Sequence, residues 1–280
     1  MFAMPRVQQR HYLFNRRAAL ILILAGGTRR VLFQYITKGA RSGMISYTDK
    51  NKLSDIKVLF IDIDGTLLDF DMSAKAAISE AASELGIALG DGFFDTFSSV
   101  NDGLWERVER KEITKDELFH MRWDIIFDKA GVSRNIGGYD FELVFKKHLF
   151  FTAVPVDGAK EMLDYLVKKY PLYIASNSSR GQQESRMRAA GLDGYFKKMF
   201  ISDEIGAEKP SGDFFEYCLT NAGGIRPSEA VMIGDSLTAD IKGGNDAGII
   251  TIHLNRKARK YTDTLPDYSV ASLSEIKEIL

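Results

Sequence analysis

Two hydrophobic periodicities divide the chain. Between residues 72 and 152, apolar residues recur at intervals of three and four, the spacing of amphipathic helices, over 73–87, 99–113, 114–131 and 139–150. Thr114 followed by Glu117 is a capping-box signature, which predicts the start of the third of these helices. This region contains no alternating strand pattern and is therefore predicted to be helical throughout.

Outside this region, short apolar runs alternate with helical stretches. The runs lie at 58–62, 171–176, 197–202, 230–234 and 249–254. Such alternation implies right-handed crossovers and a parallel sheet covered by helices. We therefore predict an α/β fold: a Rossmann-like, doubly wound parallel sheet built from 55–71 and 153–280, with 72–152 inserted as a helical domain.

The first apolar run ends in two carboxylates. Val58 to Ile61 read as a strand buried on both faces, but Asp62 and Asp64 follow at once. A buried ionised carboxylate without a partner costs several kcal/mol or becomes protonated. Two of them at one strand end therefore require a cation, strong hydrogen-bond donors or solvent.

Polar residues follow the other strands as well. Ligands bind beyond the carboxyl ends of the strands in open parallel sheets, so residues just after each strand should meet. They are Asp62, Asp64, Gly65 and Thr66; Ser176 and Asn177; Glu208, Lys209 and Pro210; and Gly234, Asp235, Ser236 and Asp240. Several carboxylates with a lysine, a hydroxyl group and backbone amides can hold a hard divalent cation beside a phosphate.

Composition adds a charge asymmetry. The 280 residues are 45% hydrophobic and 27% charged, as in globular proteins, and the net charge of -1 offers no bulk attraction for nucleic acid. Residues 1–43 hold eight Arg and Lys but no Asp or Glu, so the other 237 residues, with 29 basic and 38 acidic side chains, carry -9. The one cysteine, Cys218, cannot form an internal disulfide, which suits a reducing, cytoplasmic location.

The N-terminal stretch has features of a signal peptide. Arg16 and Arg17 precede eight apolar residues, 18–25, and small residues follow. This run is well short of the roughly 20 residues that span a membrane, and Arg29 and Arg30 follow closely. We predict that 1–43 is a basic extension outside the fold; export and a surface tether are the alternatives. The folded body needs no membrane.

Four motifs resemble those of the haloacid dehalogenase superfamily, in the same order. They are DIDGTL at 62–67, Ser176 at the end of LYIAS, Lys209 in EKP, and GDSLTAD at 234–240. The resemblance covers residues 55–280 and implies a phosphohydrolase. The insertion between the first two motifs looks like the helical cap of one subfamily, which would make 72–152 a cap over the site.

Within that subfamily, three stretches look most like the 5'-nucleotidases of pyrimidine and noncanonical nucleoside monophosphates. They are 100–114, 191–210 and 232–249. Phosphoglycolate and sugar-phosphate phosphatases share much of the last stretch and stay as alternatives. The resemblance implies a nucleoside monophosphate as the small-molecule partner; oligomeric state stays open.

The resemblance also implies roles for individual residues. Asp62 would be the nucleophile that forms an aspartyl-phosphate, Asp64 the general acid and base, and Lys209 a cation that neutralises the phosphoryl oxygens. Mg²⁺ would be held by Asp62, the backbone carbonyl of Asp64 and Asp235, with Asp240 in the metal set or orienting a water molecule or Lys209. Groups that would bind the substrate lie at Gly65, Thr66, Ser176, Asn177 and Trp105.

Some patterns leave alternatives open. A haloacid dehalogenase is disfavoured because its matching residue is not an acid, whereas this chain has Asp64. A non-catalytic binding protein is disfavoured because every catalytic position is filled. In the cap, Phe119, Trp123 and Phe127 recur every four residues, which favours a helix-packing stripe over a shelf for stacking a base.

Overall fold

The structure, a computed structural model, describes residues 53–280 and the backbone of two N-terminal strands. These strands, β1 (Ala18–Ala25) and β2 (Thr28–Tyr35), pair antiparallel in a sheet of their own. The rest of 1–43 lies outside the described residues. The prediction that this extension is not part of the fold therefore stays a prediction.

A parallel sheet of six strands forms the core, as predicted. Its strands are β3 (Val58–Ile61), β4 (Leu172–Ser176), β5 (Lys198–Ile201), β6 (Ala230–Gly234), β7 (Ile250–Leu254) and β8 (Tyr268–Val270). Their spatial order is β5-β4-β3-β6-β7-β8, and every pairing is parallel. The first core strand, β3, thus lies at the centre, where Phe60 pairs with Tyr173 and Met232. The edge strand β8 was not predicted because three residues are too few for a periodic pattern.

Four helices form the inserted domain, which we call the cap. They are α1 (Phe70–Glu84), α2 (Phe93–Glu109), α3 (Lys115–Ala130) and α4 (Gly138–Leu149). The predicted capping box is present at the start of α3, where Thr114 and Glu117 exchange hydrogen bonds. Helix α2 begins six residues before the predicted position because Phe93 and Phe97 are buried in the cap's own hydrophobic core.

The remaining helices cover the sheet. They are α5 (Ala159–Leu166), α6 (Arg180–Ala189), α7 (Ser202–Ile205), α8 (Gly212–Asn221), α9 (Lys242–Asp246) and α10 (Ile276–Ile279). Leu59 and Ile61 belong to one buried cluster and Val58 and Phe60 to another, so alternate β3 residues face opposite layers. Among the described residues, every helix is too short or too polar to span a lipid bilayer.

The alternating pattern predicts one ordinary helix between the apolar runs at 230–234 and 249–254, but the segment after β6 differs from this. It begins as a wide π-helical turn, Leu237–Ile241, and only then becomes the short α9. The Ser236 side chain caps this turn by accepting a hydrogen bond from the Ala239 amide. The turn returns the Asp240 carboxylate to the strand end, where it accepts a hydrogen bond from the Ser236 amide at 3.1 Å. Single-turn π segments of this kind occur often at functional sites.

Candidate active site

Three carboxylates meet at the carboxyl edge of the sheet. Asp62 follows β3, Asp235 follows β6, and Asp240 lies in the π-helical turn. One carboxylate oxygen from each lies within 4.8 Å of the others. The expected convergence of distant loops is therefore present in the structure.

Lys209 lies buried among these carboxylates. Its Nζ is 2.7 Å from Asp62 Oδ1, 2.6 Å from Asp240 Oδ1 and 2.7 Å from the carbonyl oxygen of Ala175. Three acceptors match the three hydrogens of an ammonium group. Burial lowers the pKa of Lys209, but the charges of Asp240 and Asp62 outweigh burial and hold that pKa above its usual value. The lysine is thus a fixed cation beside Asp62.

The carboxylates outnumber the cation that contacts them. Burial, opposed by Lys209, raises the pKa of Asp62 well above its usual value, with repulsion from Asp240 and Asp235 adding to the effect. Burial and the charge of Asp240 raise the pKa of Asp235 to about 7. Carboxylate oxygens are the ligands that a hard divalent cation prefers, and such a cation would relieve the repulsion between these crowded carboxylates. The residues present therefore fit a metal ion such as Mg²⁺.

Two glycines make room for the carboxylates. Gly65 has φ +89°, and a Cβ there would lie 2.4 Å from Asp235 Oδ2. At Gly234, a Cβ would lie 2.1 Å from Asp240 Oδ2. Thr66 Oγ1 donates a hydrogen bond to Asp235 Oδ1 at 3.4 Å. Two motif residues expected near the substrate, Gly65 and Thr66, thus also shape the position of Asp235.

The Asp64 side chain turns away from the carboxylate cluster towards α6. Its Oδ1 accepts a hydrogen bond from Arg186 Nη1 at 2.5 Å, and its Oδ2 accepts one from Gln183 Nε2 at 2.6 Å. The side chain stays 28% exposed and lines the cleft. Sequence reasoning missed Gln183 and Arg186. Both are polar residues that share the buried face of α6 with Met187, and polar residues on an otherwise apolar helix face are the signal that could have marked them.

Ser176 and Asn177 lie at the end of β4, beside Lys209. Ser176 is buried, and its Oγ accepts a hydrogen bond from Gln183 Nε2 at 3.1 Å. The Asn177 side chain is occupied with Lys209: Nδ2 donates to the Lys209 carbonyl and Oδ1 accepts from the Lys209 amide, both at 2.8 Å. Asn177 therefore holds the backbone of the lysine in place, and its own backbone amide is the group left for a substrate.

A cleft of about 390 Å³ lies between this site and the cap. Trp105 lines it from α2 and packs edge-to-face against Phe119 of α3, with ring centroids 6.2 Å apart. The predicted aromatic stripe of α3 divides: Trp123 and Phe127 are fully buried in the cap, whereas Phe119 faces the cleft. Phe119 also packs against the cap's hydrophobic core, so helix packing, the favoured interpretation, holds for all three rings.

The cleft wall on the cap side also carries polar groups held by a buried network. Arg122 donates hydrogen bonds to both carboxylate oxygens of Glu142 and, at 2.9 Å, to Asn101 Oδ1. Glu142 also accepts a hydrogen bond from Trp123 Nε1. Asn101 and Arg122 line the cleft, so their orientation is set from behind by Glu142.

Glu109, the last residue of α2, reaches from the cap to the segment that follows β6. Its carboxylate accepts hydrogen bonds from Ser236 Oγ, at 3.1 Å, and from Thr238 Oγ1. Burial, with repulsion from Asp240, raises the pKa of Glu109 to about 8. Sequence reasoning missed this contact, since a glutamate in a charged helical stretch is ordinarily a solvated residue.

The parallel sheet, the helical cap and the cluster of carboxylates around Lys209 are the features of one class of hydrolases. The sequence model of the haloacid dehalogenase-like hydrolases matches residues 56–248. The chain belongs to this family, and its predicted identity as a capped α/β hydrolase is confirmed.

Named relatives narrow the comparison further. Pyrimidine 5'-nucleotidase PynA of Streptococcus pneumoniae is 34% identical over 229 residues, covering 80% of this chain and 94% of that protein. Pyrimidine 5'-nucleotidase YjjG of Escherichia coli is 28% identical over 223 residues, covering 79% and 96%. The magnesium-bound crystal structure of the HAD-hydrolase YfnB of Bacillus subtilis has a TM-score of 0.76 and 29% identity, covering 81% and 99%. The prediction of an enzyme of the phosphatase type is thereby confirmed.

Proposed function

We propose that this chain is a magnesium-dependent phosphomonoesterase that hydrolyses nucleoside 5'-monophosphates through an aspartyl-phosphate on Asp62. The observation that carries the proposal is the Asp62 carboxylate held by Lys209, beside Asp235, at the floor of a capped cleft. The names of the two nucleotidase relatives support the substrate class.

Asp62, Asp235 and the backbone carbonyl of Asp64 would hold the magnesium ion. Asp240 accepts a hydrogen bond from Lys209 at Oδ1 and one from the Ser236 amide at Oδ2, so it acts mainly by positioning these two groups. When bound, magnesium supplies positive charge that lowers the electrostatic repulsion between the phosphate and an attacking carboxylate.

The chain's own residues divide the reaction into two displacements. Asp62 attacks phosphorus in line with the leaving oxygen, and Lys209 stabilises the charge on the phosphoryl oxygens. Asp64 gives a proton to the leaving alcohol oxygen and then takes one from the water that attacks the aspartyl-phosphate. The water oxygen bonds to phosphorus while the acyl-phosphate bond between phosphorus and the Asp62 oxygen breaks, which releases phosphate and restores the carboxylate.

Other groups around the cleft bind the substrate. The Ser176 hydroxyl group and the backbone amides of Asn177, Gly65 and Thr66 are donors for the phosphoryl oxygens. Trp105, with Phe119 packed on it, offers an aromatic surface to the base at the cap side of the cleft. The proposed location is the cytoplasm.

The alternatives predict different products. A phosphoglycolate or sugar-phosphate phosphatase would use the same floor of the cleft with another ester group under the cap. A haloacid dehalogenase would release halide from chloroacetate, but a displaced halide needs no proton from Asp64. A non-catalytic binding protein would leave every phosphate ester intact.

Hydrolysis of p-nitrophenyl phosphate, with and without magnesium, tests the reaction. We expect activity that chelation abolishes and that Asp62→Asn reduces to background. Asp246→Asn is the matched control, because Asp246 is an exposed residue of α9 that pairs with Lys242 on the surface. Full activity in Asp62→Asn would refute the assignment of the nucleophile. A phosphate-release screen over pyrimidine, purine and sugar monophosphates then decides the substrate class.

A further inference from the structure

Both carboxylate oxygens of Asp64 are held by one helix. Gln183 and Arg186 lie one turn apart on the buried face of α6, and each donates to a different oxygen, at 2.6 and 2.5 Å. Neither side chain is exposed. Rotation of the carboxylate about its side-chain bonds would break at least one of these hydrogen bonds, so the pair gives Asp64 a single orientation at the cleft.

The orientation of the Gln183 amide follows from its neighbours. Nε2 faces two acceptors, Asp64 Oδ2 and Ser176 Oγ, while Oε1 faces Arg186 Nη1 at 3.3 Å. A flipped amide would place two oxygens against each other and two donors against each other. Gln183 therefore presents only a donor to Asp64, as Arg186 must.

Arg186 also contacts the segment where the cap rejoins the core. Its Nε donates a hydrogen bond to the Thr152 carbonyl at 3.2 Å, three residues after the end of α4. Within residues 53–280, Arg186 Nη2 is the one buried side-chain nitrogen or oxygen without a hydrogen-bond partner. An incompletely paired buried charge is poor for stability compared with an apolar side chain, which favours a role in function.

We propose that Gln183 and Arg186 are positioning residues for proton transfer by Asp64, and that Arg186 ties this orientation to the cap junction at Thr152. The proposal rests on the proposed phosphatase function. Both partners offer Asp64 only donors, so a proton carried by Asp64 finds no acceptor on α6. The acidic hydrogen is therefore directed to the cleft.

The proton balance follows from this geometry. As the bond from Asp62 to phosphorus forms and the ester bond breaks, the Asp64 hydroxyl gives its proton to the leaving oxygen. The resulting carboxylate is stabilised by the Arg186 charge. In the second displacement, Asp64 takes a proton from the attacking water while the bond between Asp62 and phosphorus breaks.

A pair of aryl esters tests this assignment. The p-nitrophenolate ion leaves easily without a proton, whereas phenolate is more basic and gains more from a general acid. We expect Arg186→Met and Gln183→Leu to lower kcat/KM for p-nitrophenyl phosphate by less than about threefold, and for phenyl phosphate by about tenfold or more, part of the range that general acids contribute. Arg188→Met, an exposed residue of the same helix, is the control and should leave both values unchanged.

Further variants separate positioning from folding. Retained hydrolysis of p-nitrophenyl phosphate is itself proof of a folded site, and Arg186→Lys should recover part of the loss with phenyl phosphate. In an Asp64→Asn background, Arg186→Met should not change the ratio of the kcat/KM values for the two esters any further. Equal losses on both esters in all folded variants would refute the positioning role. If the unmodified enzyme fails to hydrolyse p-nitrophenyl phosphate with magnesium, the proposed function itself is wrong.

Discussion

Replacement of Lys209 by methionine would remove the cation that, within residues 53–280, contacts both Asp62 and Asp240. Methionine has a similar length but no charge, so the cavity stays filled while three hydrogen bonds, of 2.6 to 2.7 Å, are lost. Removing one partner of a buried ion pair costs about 3–5 kcal/mol, since the other charge is left buried without compensation. For a fold of this size, 1 kcal/mol corresponds to roughly 2–4 °C in Tm, so we expect a fall of roughly 6–20 °C.

The loss should depend on pH in a defined direction. Lys209 lowers the pKa of Asp62 against the larger effect of burial, so its removal should raise that pKa further. A carboxyl group whose pKa is raised by folding favours the folded state at low pH, and this contribution is lost as pH rises from its unfolded value, about 4, through the folded pKa. The Lys209→Met variant should therefore be closer to the unmodified protein in stability at pH 5 than at pH 8.

Thermal unfolding in EDTA, followed by circular dichroism at both pH values, measures this effect. Lys57→Met is the control: Lys57 is 60% exposed and pairs with Glu229 at 2.9 Å, so its loss should cost at most about 1 kcal/mol. Adding Asp240→Asn to Lys209→Met should recover part of the stability, because one stranded carboxylate is gone. Activity should not recover, since the loss of one preorganised charge costs about 10²–10³-fold or more in kcat.

Two outcomes would refute this reasoning. Unchanged kcat/KM for p-nitrophenyl phosphate in Lys209→Met would mean that the lysine does not stabilise the phosphoryl oxygens. A stability loss equal at pH 5 and pH 8 would mean that methionine disturbs packing and does not strand a carboxylate.

Three further predictions follow from neighbouring residues. Because the pKa of Asp235 is about 7 in the metal-free site, protons should compete with Mg²⁺, and titration calorimetry should give weaker binding at pH 6 than at pH 8; equal affinities would contradict this. Gly65→Ala places a Cβ against the Asp235 carboxylate and should reduce Mg²⁺ affinity and kcat/KM by about 10²-fold or more. Gly86→Ala, with φ +64° and no neighbour within 4 Å, has a similar backbone strain and should keep both. Glu109→Ala removes the contact between α2 and Ser236 and should lower kcat/KM by about tenfold, whereas Glu109→Gln, which keeps an acceptor, should lose less; identical losses in the two variants would contradict a role for this hydrogen bond.

The sequence was most informative about the floor of the site. Asp62, Ser176, Lys209 and Asp235 each end or follow a predicted strand, and parallel strands bring their carboxyl ends to one edge. Their meeting could therefore be predicted without knowledge of any side-chain contact. The cap helices were likewise readable from their periodicity, because burial of one face requires apolar residues at helical spacing.

Residues that act across elements could not be predicted in this way. Glu109 reads as an exposed charge in α2, and only the position of the cap over the sheet brings it to Ser236, 127 residues away. The wide turn over Leu237–Ile241 was predicted as ordinary helix, because periodicity cannot distinguish a single π-helical turn from an α-helical one.

The sequence by itself thus determined the sheet, the helical insertion and the reactive groups at the strand ends, since each depends on local spacing and on the fixed polarity of parallel strands. The tertiary structure decided how those groups are oriented. Arg186 lies 122 residues from Asp64 along the chain, and their hydrogen bond exists only because the fold brings α6 beside the segment that follows β3. Such contacts depend on the angle and position at which a whole helix packs in the fold, and the spacing of apolar residues along the sequence does not specify either.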